Sequence, residues 1–129
     1  MRSYTHTIQV GIEDLDDLNH VNNVRYVQWI QDIARAHWIS EATEDLLNDY
    51  FWVVLQHSIE YKAPAVLYDY INIKTYVTKA DGVKSTRVVE MFHSETNALL
   101  VRSETVWCLM DSKSKRPARI NEKIRDLFY

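Results

Sequence analysis

Polar and apolar positions alternate from residue 3 to residue 10, with Tyr4, His6, Ile8 and Val10 on one side and Thr5, Thr7 and Gln9 on the other. That period predicts a strand. From residue 24 to about residue 38 the period changes. Arg25, Gln28, Asp32 and Arg35 share one helical face, while Val24, Tyr26, Val27, Trp29, Ile30, Ile33 and Ala34 cover most of the remainder. A helix apolar over so wide an arc must be wrapped, most economically by a curved sheet. Asn22 or Asn23 is suited to cap its start, because a short amide side chain accepts from the free N–H groups of the first turn. Residues 41–48 predict a short second helix.

Strand periods follow at 51–62, 70–78, 85–93 and 99–110. Pro64 ends the first, and Asp81-Gly82 and Thr96-Asn97 are the turns between the later ones. The last three strands read as an antiparallel meander with residues 51–62 beside it, and Asn121 can cap a final helix ending near Phe128. Segregation of helix from antiparallel sheet makes the fold class α+β. One helix cannot cover both faces of such a sheet. Tyr70, Tyr76, Val89, Met91, Val106 and Met110 are expected on the uncovered face, which predicts a homodimer or homotetramer.

At 129 residues the chain is expected to be one domain, residues 1–129. A net charge of −3 with dispersed basic residues disfavours a nucleic-acid partner. No apolar run has the length of a leader's core or of a bilayer span, so neither export nor a membrane partner is expected. The single cysteine, Cys108, excludes an internal disulfide and fits a reducing, cytoplasmic setting. No metal or other cofactor is expected.

The candidate chemistry lies just ahead of the long helix. Asp14, Asp16 and Asp17, then His20, then Asn22 and Asn23 fall within ten residues of one another. Carboxylates and an imidazole beside a helix N-terminus can activate water and hold a developing anion. The same acids also suit a helix entry through turn chemistry alone.

The spacing Asp14, Asp16, His20-Val21-Asn22-Asn23, Tyr26, followed by Ile59-Glu60-Tyr61-Lys62-Ala63-Pro64-Ala65 and a strand meander, resembles the hotdog-fold acyl-CoA thioesterases of the 4-hydroxybenzoyl-CoA thioesterase type. Residues 14–24 are also similar to the acyl-ACP thioesterases. The resemblance implies a hotdog fold, a curved antiparallel sheet around one central helix, and hydrolysis of an acyl thioester at sites between subunits. It implies that Asp16 is the nucleophile or general base, that the amide near Asn23 polarises the thioester carbonyl, and that His20 orients water or acts as base. Tyr26 would face the acyl group. Lys84, Ser85 and Arg87, with Lys79 nearby, would meet coenzyme A phosphates around the Asp81-Gly82 turn. Lys113, Lys115 and Arg116 are a second basic patch for the same anion or for an acyl carrier protein. This chain departs from its relatives in three ways. Asn19 stands where many carry glycine, Leu18 replaces an asparagine of the acyl-ACP thioesterases, and Pro64 and Ala65 stand where those enzymes carry an acid and a cysteine. The alternatives are an acyl-ACP thioesterase and a hotdog protein that binds acyl thioesters without cleaving them.

Overall fold

The computed structural model describes residues 2–129. Strand β1 (Ser3–Gln9) leads through a short 3-10 turn (Ile12–Asp14) to helix α1 (Asn23–Glu41), and α2 (Glu44–Asp49) follows. Four long strands come next, β2 (Tyr50–Tyr61), β3 (Tyr70–Asp81), β4 (Lys84–His93) and β5 (Leu99–Asp111), then α3 (Glu122–Arg125). They form one sheet in the order β1-β3-β4-β5-β2, and every neighbouring pair is antiparallel. This is the α+β architecture expected, with α1 starting one residue before the apolar period and ending three residues after it.

The sheet wraps α1 because its concave face is apolar where the helix is. Ile30, Ile33 and Trp29 pack with Ile71, Ile73, Val89, Met91 and Val101 in one core cluster. A second cluster joins Trp38 and Leu46 to Val77, Leu109, Ile124 and Phe128 at the other end of the helix. Full burial of a side chain such as Ile30 stabilises by roughly 1.5–3 kcal/mol. Both clusters lie between helix and sheet.

Two of the residues assigned to the uncovered face belong here instead. Met91 pairs with Ile73 and Val101, and Val89 with Thr75 and Ser103. Cross-strand partners share a face, so both point at the helix. Tyr70, Tyr76, Val106 and Met110 keep the outer face, and of these Tyr70 is exposed. Strand β2 is a sheet edge, twelve residues long, with Val54 and Leu55 exposed on it. No helix among the described residues is long and apolar enough to cross a membrane.

Candidate active site at the mouth of the long helix

Asp14 shapes the approach to α1. It is 3% exposed, receives Arg25 Nε at 2.6 Å on one carboxylate oxygen, and receives the Gly11 backbone N–H at 2.8 Å on the other. Its carbonyl accepts from Asn22 N–H at 2.8 Å, so the two arms of the loop are tied together where Asp14 meets the helix start. Both carboxylate oxygens of Asp14 are thus engaged in holding the loop, and the group is almost fully closed off from solvent.

Asp16, one turn further into the loop, is half-buried and differently held. Its Oδ1 accepts from the backbone N–H groups of Leu18 at 2.9 Å and His20 at 3.1 Å. Its own N–H donates to the His20 carbonyl at 2.7 Å. These bonds fix the direction of the carboxylate, while Oδ2 has no hydrogen bond among the described residues. Closing so tight a loop requires Asn19 at φ +62°, in the left-handed region. Asparagine is the non-glycine residue that enters this region most readily. The departure from glycine therefore preserves the loop path.

Asn22 is the N-cap, its Oδ1 accepting from Val24 N–H at 3.0 Å. Asn23 is the first helical residue, and its N–H has no intrahelical acceptor to reach. A free amide at the positive end of a 19-residue helix is a ready donor to an oxyanion. His20, half-buried, bridges Val66 through its backbone, and Val21 N–H donates to the Ala65 carbonyl at 3.0 Å. The acidic loop is thus docked on residues 62–69. Its ring makes no hydrogen bond among the described residues.

Tyr26 is buried one turn into α1, 5.7 Å from the Trp29 ring and 5.8 Å from Tyr61. Burial pushes its phenol pKa up, with Tyr61, Asp69 and Asp16 adding to the effect and the Ala65 backbone opposing it. Among the described residues the hydroxyl has no hydrogen-bond partner. Asp16, Asn23, His20 and Tyr26 are thus brought to one mouth, with Tyr61 and Asp69, which the sequence did not single out, beside them. Tyr61 lies in the 59–65 stretch that carries the family resemblance, but nothing in that stretch assigns it a role.

The basic cluster divides instead of converging. Lys84 is exposed, whereas Ser85 and Arg87 are buried on the helix side of β4. Alternation along a strand makes this unavoidable, since adjacent residues point to opposite faces. Arg87 donates from Nη1 to His37 Nδ1 at 2.9 Å and to Thr75 Oγ1 at 3.1 Å, with its guanidinium 5.3 Å from the Phe128 ring. Burial lowers its pKa to about 10, so it is charged at neutral pH. Ser85 and Arg87 line a cavity of about 520 Å³ under the second half of α1, with Trp38, Phe51, Trp52 and Trp107. Trp38 and Trp52 meet edge to face at 5.7 Å. Lys113, Lys115 and Arg116 are exposed beyond β5, and Lys115 Nζ lies 5.4 Å from the Phe51 ring. Among the described residues no group of three or more His, Cys, Asp or Glu is placed to hold a metal ion.

Residues 10–128 match the family model of the thioesterase-like superfamily. No curated protein sequence matches. Among solved structures, a mutant 4-hydroxybenzoyl-CoA thioesterase complexed with 4-hydroxybenzoyl-CoA superimposes with a TM-score of 0.89 at 12% identity, covering 100% of both chains. A 1,4-dihydroxy-2-naphthoyl-CoA thioesterase from Synechocystis gives 0.83 at 19% identity, covering 98% of this chain and 95% of its own. The 12:0-ACP thioesterase of Umbellularia californica also gives 0.83, at 14% identity, over 98% of this chain and 51% of its own. The fold is that of the hotdog thioesterases.

Proposed function

Starting from the thioesterase-like superfamily, to which this chain belongs, we propose that it is an acyl-CoA thioesterase that uses Asp16 to cleave the thioester. The observation that carries the assignment is the asymmetry of that carboxylate. One oxygen is fixed by two backbone amides and the other is open, beside a helix N-terminus with a free N–H. Asp16 activates water for attack on the acyl carbon, or attacks it directly. As the C–O bond forms and the C–S bond breaks, the Asn23 amide carries the carbonyl oxygen's charge. When water attacks, the thiolate leaves with the proton that Asp16 took from that water. When Asp16 attacks, the thiolate leaves a mixed anhydride on Asp16, and a water then hydrolyses it, restoring the carboxylate and supplying the thiolate's proton. His20 orients the water, and Tyr26 lies against the acyl group. The acid and coenzyme A are the products. No step calls for a metal.

The site is completed by a second copy. Leu18 is 75% and Val24 68% exposed at the helix mouth, and the long edge of β2 offers Val54 and Leu55. Long apolar edges are normally covered. Antiparallel pairing of two β2 strands about their midpoint sets Tyr61 of one subunit beside Tyr50 of the other, so the Asp16 mouth opens onto the cavity walled by its neighbour's Tyr50, Phe51 and Trp52. These features support a homodimer, or a homotetramer built from two. Lys84 and the loop of Lys113, Lys115 and Arg116 are the exposed cations available to the nucleotide phosphates. The same loop supports a second reading in which an acyl carrier protein replaces coenzyme A. A single buried thiol, Cys108, supports a cytoplasmic setting.

The test is release of free thiol from a panel of acyl-CoAs and the matching acyl carrier proteins. Turnover of the CoA esters is the expected result. Turnover of the carrier-protein esters alone selects the second reading, and binding without turnover of either ends the enzyme assignment.

A further inference from the structure

Arg87 is a buried cation with no anion. It is 6% exposed, and both of its hydrogen-bond partners, His37 and Thr75, are neutral acceptors. It takes part in no ion pair among the described residues. A guanidinium removed from water without a counter-charge is costly, and the Phe128 ring is weak compensation. Arg87 is not sealed in the core, however. It lines the cavity under α1.

Two more donors face the same space. Among the described residues, the buried Trp107 Nε1 has no hydrogen-bond partner and the Ser85 hydroxyl forms no hydrogen bond. Ser85 and Trp107 are directly paired across β4 and β5, and Arg87 lies two residues along β4 on the same face. One wall of the cavity therefore offers a guanidinium, an indole N–H and a hydroxyl. Two exposed groups of opposite charge on α1, Asp32 and Arg35, stand at its edge and offset one another, Asp32 accepting from Gln28 Nε2 at 2.8 Å, so that Arg87 is the one buried charge of the lining. The rest of the lining includes the apolar residues Trp38, Phe51 and Trp52.

We propose that this cavity is a carboxylate-recognition pocket, in which Arg87, Trp107 and Ser85 bind an anionic group at the far end of the substrate's acyl chain. The proposal rests on the thioester-hydrolase reading for the rest of the substrate. A monoanion matches the single charge of Arg87, and an aliphatic spacer suits the indole and phenyl lining. A phosphate dianion would leave charge unpaired against that lining. The fitting substrates are CoA thioesters of dicarboxylic acids.

The test pairs hexanoyl-CoA with adipoyl-CoA, equal in chain length and different in the terminal carboxylate. Wild-type protein is expected to favour adipoyl-CoA by about tenfold or more in kcat/KM, the weight of a charge-assisted hydrogen bond. The preference should collapse toward one in Arg87→Met and be partly kept in Arg87→Lys. Binding to the Asp16→Asn protein, followed by fluorescence of the cavity tryptophans, reads the same ratio without turnover. An Arg87-dependent preference in binding therefore supports the pocket even if no ester is hydrolysed. If Arg87→Met does not fold, Trp107→Phe and Ser85→Ala must each reduce the preference. Equal handling of the two esters by wild type overturns the proposal. So does an Arg87→Met protein that loses affinity for coenzyme A itself as much as for adipoyl-CoA, since the anion would then be a phosphate.

Discussion

Arg87 holds His37 in one tautomer. Its Nη1 donates to His37 Nδ1 at 2.9 Å, and because a guanidinium only donates, Nδ1 must be the unprotonated nitrogen. Stacking on Tyr4 and edge contact with Phe128 close the ring off from water. Burial first, and the Arg87 charge second, lower the His37 pKa to about 4.

The pH dependence of stability follows in sign and window. Below its unfolded value of about 6.5 the unfolded chain protonates His37 while the folded chain does not, down to about pH 4. The stabilisation is complete above pH 6.5 and is lost as pH falls toward 4. It amounts to about 2–3 kcal/mol. Urea denaturation at pH 7 and pH 4.5 measures it. His37→Gln, which retains an acceptor for Arg87 and does not titrate, should flatten that part of the profile.

Asp14 is predicted to matter through structure. Asp14→Asn weakens the bond to Arg25 Nε and disturbs the Gly11 contact, a loss of about 1–3 kcal/mol. Thermal denaturation should detect it. Because Arg25 is partly exposed and can regain water, the cost stays below that of breaking a fully buried pair.

Asn19 tests the loop. At φ +62°, Asn19→Gly should fold and retain activity within a few-fold, whereas Asn19→Val forces a β-branched residue into the left-handed region. That strain is of order 1–3 kcal/mol, and the loop is the element that gives way. Thermal denaturation alongside steady-state kinetics should show a loss of activity larger than the loss of global stability.

Much of this was legible from residue order. The wide apolar arc of α1 required a wrapping sheet, and the turn residues at Asp81-Gly82 and Thr96-Asn97 delimited the strands that supply it. The grouping of Asp16, Asn23, His20 and Tyr26 was visible because they are close in sequence. Val89 and Met91 were assigned to the wrong face because face identity passes from strand to strand through pairing register, which alternation within one strand does not contain. The inward turn of Arg87 was hidden for the same reason. A buried unpaired cation contradicts the usual placement of arginine, and only its three-dimensional neighbours, His37 from α1 and Thr75 from β3, reveal it.

The central claim is that Asp16 performs the chemistry, and Asp16→Asn measures it with little structural change. The amide oxygen can still accept from Leu18 and His20, so the loop is preserved while the base or nucleophile is removed. On an acyl-CoA that wild type turns over, kcat should fall by about 10²–10⁴ with KM and thermal stability little altered. A variant that keeps kcat within a few-fold of wild type would contradict the account and move the chemistry to another group.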